Sequence, residues 1–191
     1  MLTEKLKKIK FVITDIDGVL TDGSLHYDAH GEAFKTFHVR DGLGIRMLME
    51  SGIQVAVLSG RDSPILRKRI ADLGIQHFFL GKLEKESACL ELIQQANVCA
   101  QETAYIGDDS VDLPAFAVCG VAFAVQDSPA YIKMHADHVL SLKGGQGAFR
   151  EMSDMILAAQ NKSDIYTSAQ GFLKAAKKIG TINCPQTKKH A

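Results

Sequence analysis

Residues 11–23 read FVITDIDGVLTDG. An apolar run ends in Asp15 and Asp17, one residue apart, with Gly18 directly behind them and a third acid at Asp22. A carboxylate at the end of a buried strand is costly to desolvate unless something compensates it. On a regular strand, side chains two apart face the same side, so Asp15 and Asp17 can reach one reacting centre. Asp22 has no chemical role in this reading beyond the turn that follows.

The rest of the chain repeats the pattern of that first strand. IKFVIT (9–14), QVAVLS (54–59), HFFL (77–80), TAYIG (103–107), VAFAV (121–125) and DHVLS (137–141) are short, near-continuous apolar runs. Such runs suit strands of a parallel sheet buried on both faces. Helical patterns lie between them. One covers 43–51 and is ended by Gly52; another opens at Asp62-Ser63-Pro64, carries Ile65, Leu66, Ile70 and Leu73, and stops at Gly74. Further helices fit 84–97, 110–118, 129–135 and 148–160. The βαβα order predicts a doubly wound, Rossmann-like α/β fold. One stretch, GSLHYDAHGEAFKTFHV (23–39), alternates around His30-Gly31 and predicts a β-hairpin insertion over about 24–38. Residues 1–160 form one predicted domain. Residues 161–191 read as a C-terminal tail, partly helical or disordered, whose last part from Ile165 carries five lysines and no acid.

Composition narrows the classes of function. The 191 residues are 46% hydrophobic and 23% charged, and 22 basic residues balance 22 acidic ones. This balance gives no support to nucleic-acid or membrane binding. No apolar stretch reaches the roughly 18 residues of a spanning helix. The start, MLTEKLKKIK, lacks the features of a signal peptide, so a cytoplasmic protein is expected. Cys89, Cys99, Cys119 and Cys184 are scattered without metal-like spacing, which predicts free thiols. His26, His30 and His38 have no metal-like arrangement either.

Ligands of open α/β sheets bind at the carboxyl ends of the strands. The first strand ends in Asp15 and Asp17, and the second in Ser59-Gly60-Arg61. The third is followed by Lys82 and Lys85, and the fourth by Gly107-Asp108-Asp109 with Asp112 a turn on. Asp15, Asp17, Asp108 and Asp109 crowded together would raise one another's pKa. A hard divalent cation relieves that conflict, and all-oxygen ligation favours magnesium. Ser59, Arg61 and Lys85 offer a hydroxyl and positive charge suited to phosphate oxygens. Carboxylates, metal and phosphate clamp together describe phosphoryl transfer, with Asp15 as carboxylate nucleophile and Asp17 as general acid and base. Singly, each motif is an ordinary turn or helix cap; four in order, one per strand end, are not.

DIDGVLTDG, LSGR, Lys85 and GDDSVD resemble, in order, the four motifs of the haloacid dehalogenase superfamily of phosphohydrolases. The resemblance implies an aspartyl-phosphate on Asp15, acid/base catalysis by Asp17, and phosphate binding by Ser59 and Lys85. It implies a magnesium site formed by the Asp15 carboxylate, the Asp17 carbonyl and Asp108, with Asp109 and Asp112 holding its waters and orienting Lys85. FHVRDGLGI, the RKR helix, GDDSVDLP and GGQGAFRE further resemble the 3-deoxy-D-manno-octulosonate 8-phosphate phosphatase subgroup. That subgroup's spacing from Gly81 selects Lys85 over Lys82.

This narrower resemblance implies a capless enzyme of lipopolysaccharide sugar synthesis. It also implies a homotetramer, in which the hairpin and tail of one chain help close a neighbour's site. Thr36, Phe37, His38, Val39, Arg40, Arg61 and Arg69 are the substrate contacts implied, beside Asp17 and Lys85. A phosphatase of a related nine-carbon sugar acid such as N-acylneuraminate 9-phosphate, and a non-catalytic phosphate-binding or assembly module, stay open at this point.

Overall fold

A computed structural model of the protein describes residues 1–179. The expected polar end of the tail, with Cys184, lies outside the described residues. The elements in chain order are α1 (Leu2–Leu6), β1 (Phe11–Thr14), β2 (His26–Asp28), β3 (Gly31–Phe34), α2 (Val39–Glu50), β4 (Gln54–Leu58), α3 (Pro64–Leu73), β5 (His77–Phe79) and α4 (Lys85–Gln95). They continue with β6 (Thr103–Gly107), α5 (Leu113–Val118), β7 (Val121–Ala124), α6 (Ala130–Lys133), β8 (His138–Val139), α7 (Ala148–Ala159), α8 (Asp164–Thr167) and α9 (Ala169–Ile179).

Six strands form one parallel sheet in the order β5-β4-β1-β6-β7-β8. The chain starts in the middle, winds outward through β4 and β5, then returns to β6 and winds the other way. The order therefore reverses between β1 and β6, and that junction is the topological switch point. The predicted doubly wound fold is what the chain adopts.

Alternation along the strands splits the core in two. Val12, Val55, Val57, Ile106 and Phe123 face α2, α3 and α7, whose Leu48, Leu66, Ile70, Phe149 and Ile156 cover them. Phe11, Ile13, Leu58, Tyr105 and Ala122 face α4 and α5 through Cys89, Leu92, Ala115 and Phe116. Covering both faces is what requires the unbroken apolar runs. α3 begins as expected: the Ser63 hydroxyl accepts the Leu66 N–H (3.4 Å), Pro64 occupies the first turn and Gly74 ends the helix at φ 76°.

Among the boundaries that differ from the sequence reading, three have a local cause that the side chains show. Helix α2 starts at Val39 rather than 43, because His38 caps it, its Nδ1 accepting the Arg40 N–H at 3.2 Å. Gly42 and Gly44 in the opening turns had hidden this start. Strand β8 has two residues rather than five. Before it, the Asp137 N–H still donates to the Ala122 carbonyl at 2.8 Å, but the Asp137 carboxylate takes the Ala122 N–H at 2.9 Å, so a side chain stands where a strand carbonyl would. The hairpin forms as a separate antiparallel pair, β2 with β3. Its turn lies at Ala29-His30, one residue earlier than expected, where the Asp28 carboxylate accepts the His30 N–H at 2.7 Å.

Beyond Ala159 the chain turns back at Asn161 (φ 57°) into α8 and α9. Tyr166 donates its hydroxyl to the Asp154 carbonyl of α7 at 3.0 Å, and Ala175 of α9 is buried. No described helix is long and apolar enough to cross a membrane. Cys89, Cys99 and Cys119 are free thiols, with the Sγ atoms of Cys89 and Cys119 3.5 Å apart in the core.

Candidate active site

The ends of β1 and β6, on either side of the switch point, bring Asp15, Lys85, Asp108 and Asp112 together. Lys85 opens α4 and is fully buried. Its Nζ lies 2.8 Å from Asp15 Oδ2 and 2.7 Å from Asp112 Oδ1. Lys82 is exposed and takes no part. A lysine is buried this way because carboxylates face it and compensate its charge. Burial works against its charge, but Asp15 and Asp112 outweigh that and raise its pKa above the ordinary value.

Asp112 is the structural hub. Its Oδ1 accepts from Lys85 and from the Tyr105 hydroxyl (2.7 Å), and its Oδ2 accepts the Asp108 and Asp109 N–H groups (2.8 and 3.3 Å). All its acceptor capacity is spent on holding the β6 loop and Lys85. Tyr105 escaped the sequence reading because its one polar atom sits inside an apolar strand. Asp109 is exposed and caps the turn at Ser110–Asp112, its Oδ1 accepting the Ser110 N–H at 2.7 Å.

Asp15 is held on both oxygens, Oδ1 by the Ile16 N–H (2.6 Å) and Oδ2 by Lys85. Burial and the neighbouring Asp112 nevertheless push its pKa up to about 7 against the pull of Lys85. Asp108 receives no hydrogen bond on its carboxylate from the described residues. Burial, then Asp112, Asp15 and Asp109, raise its pKa to about 8. Three carboxylates, Asp15, Asp108 and Asp112, offer oxygens within 4.8 Å of one another against one ammonium. That excess negative charge, and an Asp108 carboxylate with no donor, fit a hard divalent cation.

The loop after β1 is built for close approach. Gly18 has φ 84°, and a Cβ there would overlap the Asp108 carboxylate. Thr21, buried, accepts the Gly18 and Gly23 N–H groups on its hydroxyl at 3.4 and 3.2 Å. Asp22, unassigned from sequence, accepts the Ser24 N–H at 2.9 Å and so caps the exit into the hairpin. The Gly144-Gly145 backbone packs on this loop from outside, with the Gly145 N–H donating to the Val19 carbonyl at 2.8 Å.

Asp17 faces a second group of side chains. Its Oδ1 lies 2.5 Å from Lys35 Nζ, and its Oδ2 lies 3.6 Å from Arg61 Nε. Lys35 also pairs with Glu32 at 2.9 Å, and Arg61 donates to the Tyr27 hydroxyl at 3.0 Å. Lys35, Glu32 and Tyr27 belong to the hairpin, and sequence reading had missed all three. Their only signal was a Glu-x-x-Lys spacing that the strand alternation does not explain. Ser59, buried at the end of β4, accepts the Arg61 N–H on Oγ at 3.2 Å.

The remaining predicted contacts lie in a different neighbourhood. The Arg69 guanidinium carbon stands 5.2 Å from the Phe37 ring centroid, and its Nε is buried without a hydrogen bond. Thr36, Val39 and Arg40 are exposed, and His38 is the α2 cap. None of these six side chains hydrogen-bonds to Asp15 or Asp17.

Residues 81–150 match the haloacid dehalogenase-like hydrolase family model. Over 179 residues, 94% of this chain and 99% of the relative, the chain is 72% identical to the 3-deoxy-D-manno-octulosonate 8-phosphate phosphatase of Haemophilus influenzae. The chain belongs to the 3-deoxy-D-manno-octulosonate 8-phosphate phosphatase family. The cobalt-bound Haemophilus influenzae phosphatase of this family superposes with a TM-score of 0.88 at 74% identity, covering 88% of this chain and 99% of that one. A Moraxella catarrhalis 3-deoxy-D-manno-octulosonate 8-phosphate phosphatase, solved with magnesium, phosphate and the KDO molecule, superposes at 0.83 with 36% identity, covering 86% of this chain and 95% of that one.

Proposed function

We propose that this chain is a magnesium-dependent phosphatase that hydrolyses 3-deoxy-D-manno-octulosonate 8-phosphate to the free sugar acid and phosphate, in lipopolysaccharide synthesis. The observation that carries this reading is the buried Asp15–Lys85–Asp112 chain beside the unpaired Asp108 carboxylate at the switch point. It is a nucleophile, a cation and a metal-binding acid in one place.

The Asp15 carboxylate attacks phosphorus, and the bond from phosphorus to the sugar oxygen breaks. Asp17 gives its proton to that departing oxygen. Water then attacks the aspartyl-phosphate, Asp17 takes the water's proton, and the Asp15–phosphorus bond breaks to release phosphate. Lys85 holds Asp15 in place and balances the charge that gathers on the phosphoryl oxygens. Ser59 stands at the end of β4 with a hydroxyl for the same phosphate. Asp15, Asp108 and the Asp17 carbonyl would hold the magnesium, which supplies positive charge against the nucleophile and the phosphate. Asp112 is too fully engaged to be a ligand; it positions Lys85 and the Asp108–Asp109 turn, while Asp109 would hold a metal-bound water.

The site residues lie within a domain of residues 1–160, with the hairpin as its insertion and 161–191 as its tail. Arg61 is the substrate contact whose position supports it best, beside Asp17; Arg69 and the 36–40 segment would reach the sugar acid only in the assembled enzyme. Assembly as a homotetramer is supported by the exposed apolar side chains of the hairpin and its flanks, Leu25, Tyr27, Phe34 and Val39. A cytoplasmic place is supported by the free thiols.

The deciding experiment measures phosphate release from the eight-carbon substrate, with magnesium and with a chelator. Magnesium-dependent turnover is expected. Preference for N-acylneuraminate 9-phosphate would move the substrate to nine carbons, and no turnover of either would leave a phosphate-binding module.

A further inference from the structure

The hairpin does more at the site than its surface position suggests. Lys35 follows β3 and folds inward, leaving its side chain 1% exposed. It bridges Asp17 Oδ1 and Glu32 Oε1, whose side chain is 8% exposed. Arg61 Nη2 braces the same Glu32 at 3.3 Å. The other oxygen, Asp17 Oδ2, is buried and accepts no hydrogen bond, its nearest cation being Arg61 Nε at 3.6 Å.

A free carboxylate turns about its last bond and presents either oxygen to a substrate. A charge-assisted hydrogen bond from a buried ammonium stops that rotation. Lys35 has little freedom of its own, because a buried ammonium must keep its carboxylate partners and Glu32 is one of them. The result is an asymmetric carboxylate, with Oδ1 pinned by Lys35 and Oδ2 held only by the longer ion pair to Arg61.

We propose that Lys35 is a positioning residue for Asp17: it holds Oδ1 so that Oδ2 is the oxygen that passes the proton to the sugar and takes it from water. Glu32 keeps Lys35 in that place. The inference rests on Asp17 as the acid and base, and the test separates the two.

The test compares Lys35→Met, Lys35→Arg and Asp17→Asn in the full chain with magnesium. Misplacing a catalytic group by about 1 Å costs on the order of 100-fold, so Lys35→Met should lower kcat for the sugar phosphate by about 10- to 100-fold with KM nearly unchanged. Lys35→Arg should restore most of that loss. With p-nitrophenyl phosphate, whose leaving group needs no acid, the burst of nitrophenolate should keep the wild-type rate. In an Asp17→Asn background, adding Lys35→Met should cost nothing further. A wild-type kcat in Lys35→Met, a rise in KM alone, a slowed burst, or an equal loss in the Asp17→Asn background would overturn the proposal. Wild-type turnover of the sugar phosphate by Asp17→Asn would overturn the acid/base reading instead.

Discussion

Lys85 Nζ and Asp112 Oδ1 meet at 2.7 Å with neither side chain exposed to solvent. Asp112 is therefore as much a part of the core as of the site. Breaking such a pair leaves a buried charge short of a partner, at a cost of about 3–5 kcal/mol. Asp112→Asn should lower the urea unfolding free energy by that order and reduce turnover with it. Tyr105→Phe, which removes one neutral donor to the same carboxylate, should cost only about 1 kcal/mol. Equal stability of Asp112→Asn and wild type would mean that Lys85 is carried by Asp15 alone.

Asp15→Asn should behave in the opposite way. It removes the nucleophile, so steady-state turnover should fall below detection in a phosphate-release assay. It also removes one charge from a crowded acidic cluster while Lys85 keeps Asp112. The metal-free variant should melt at or above the wild-type temperature.

Magnesium binding should be coupled to protons. The Asp108 carboxyl is raised from 3.8 to about 8 and that of Asp15 from 3.8 to about 7. Both folded values exceed the unfolded ones, so their contribution favours the metal-free fold at low pH and is lost as pH rises from about 4 through 8. The metal-free protein should therefore lose melting temperature across this window. Magnesium requires the ionised carboxylates, so its affinity should rise with pH up to about 8, and binding at pH 7 should release protons. Titration calorimetry in buffers of different ionisation enthalpy would show it. A pH-independent affinity between 6 and 8 would contradict the assignment of Asp108 as a ligand.

Gly18→Ala tests the cradle. A methyl group there meets the Asp108 carboxylate, and the backbone at φ 84° resists any side chain. Magnesium affinity should fall at least about 10-fold, as metal sites lose when their support is disturbed. Retained affinity would show that Asp108 can hold the metal from another rotamer.

Much of the fold and the core of the site could be read from residue order alone. Strands buried on both faces leave unbroken apolar runs, and each run ends where a charged group stands out against it. Lys85 and Asp108 were legible for that reason. Tyr105 was not, because a hydroxyl at one end of an aromatic ring does not interrupt an apolar run. Lys35 and Glu32 were hidden for a different reason. Their partners, Asp17 and Arg61, lie on other elements, so only the folding of the hairpin reveals an ion pair 18 residues apart in the chain. The start of α2 was obscured by glycines that a helix tolerates when a histidine caps it.

The Gly145 N–H that braces Val19 has a consequence for synthesis. The loop bearing the proposed nucleophile is made early, but its outer support comes 126 positions later. A ribosome-bound chain that has exposed β1, and even β6, still lacks that brace. Nascent fragments ending before residue 144 should therefore neither bind magnesium tightly nor release phosphate, so the catalytic centre matures only once the Gly144-Gly145 segment has been made and folded back.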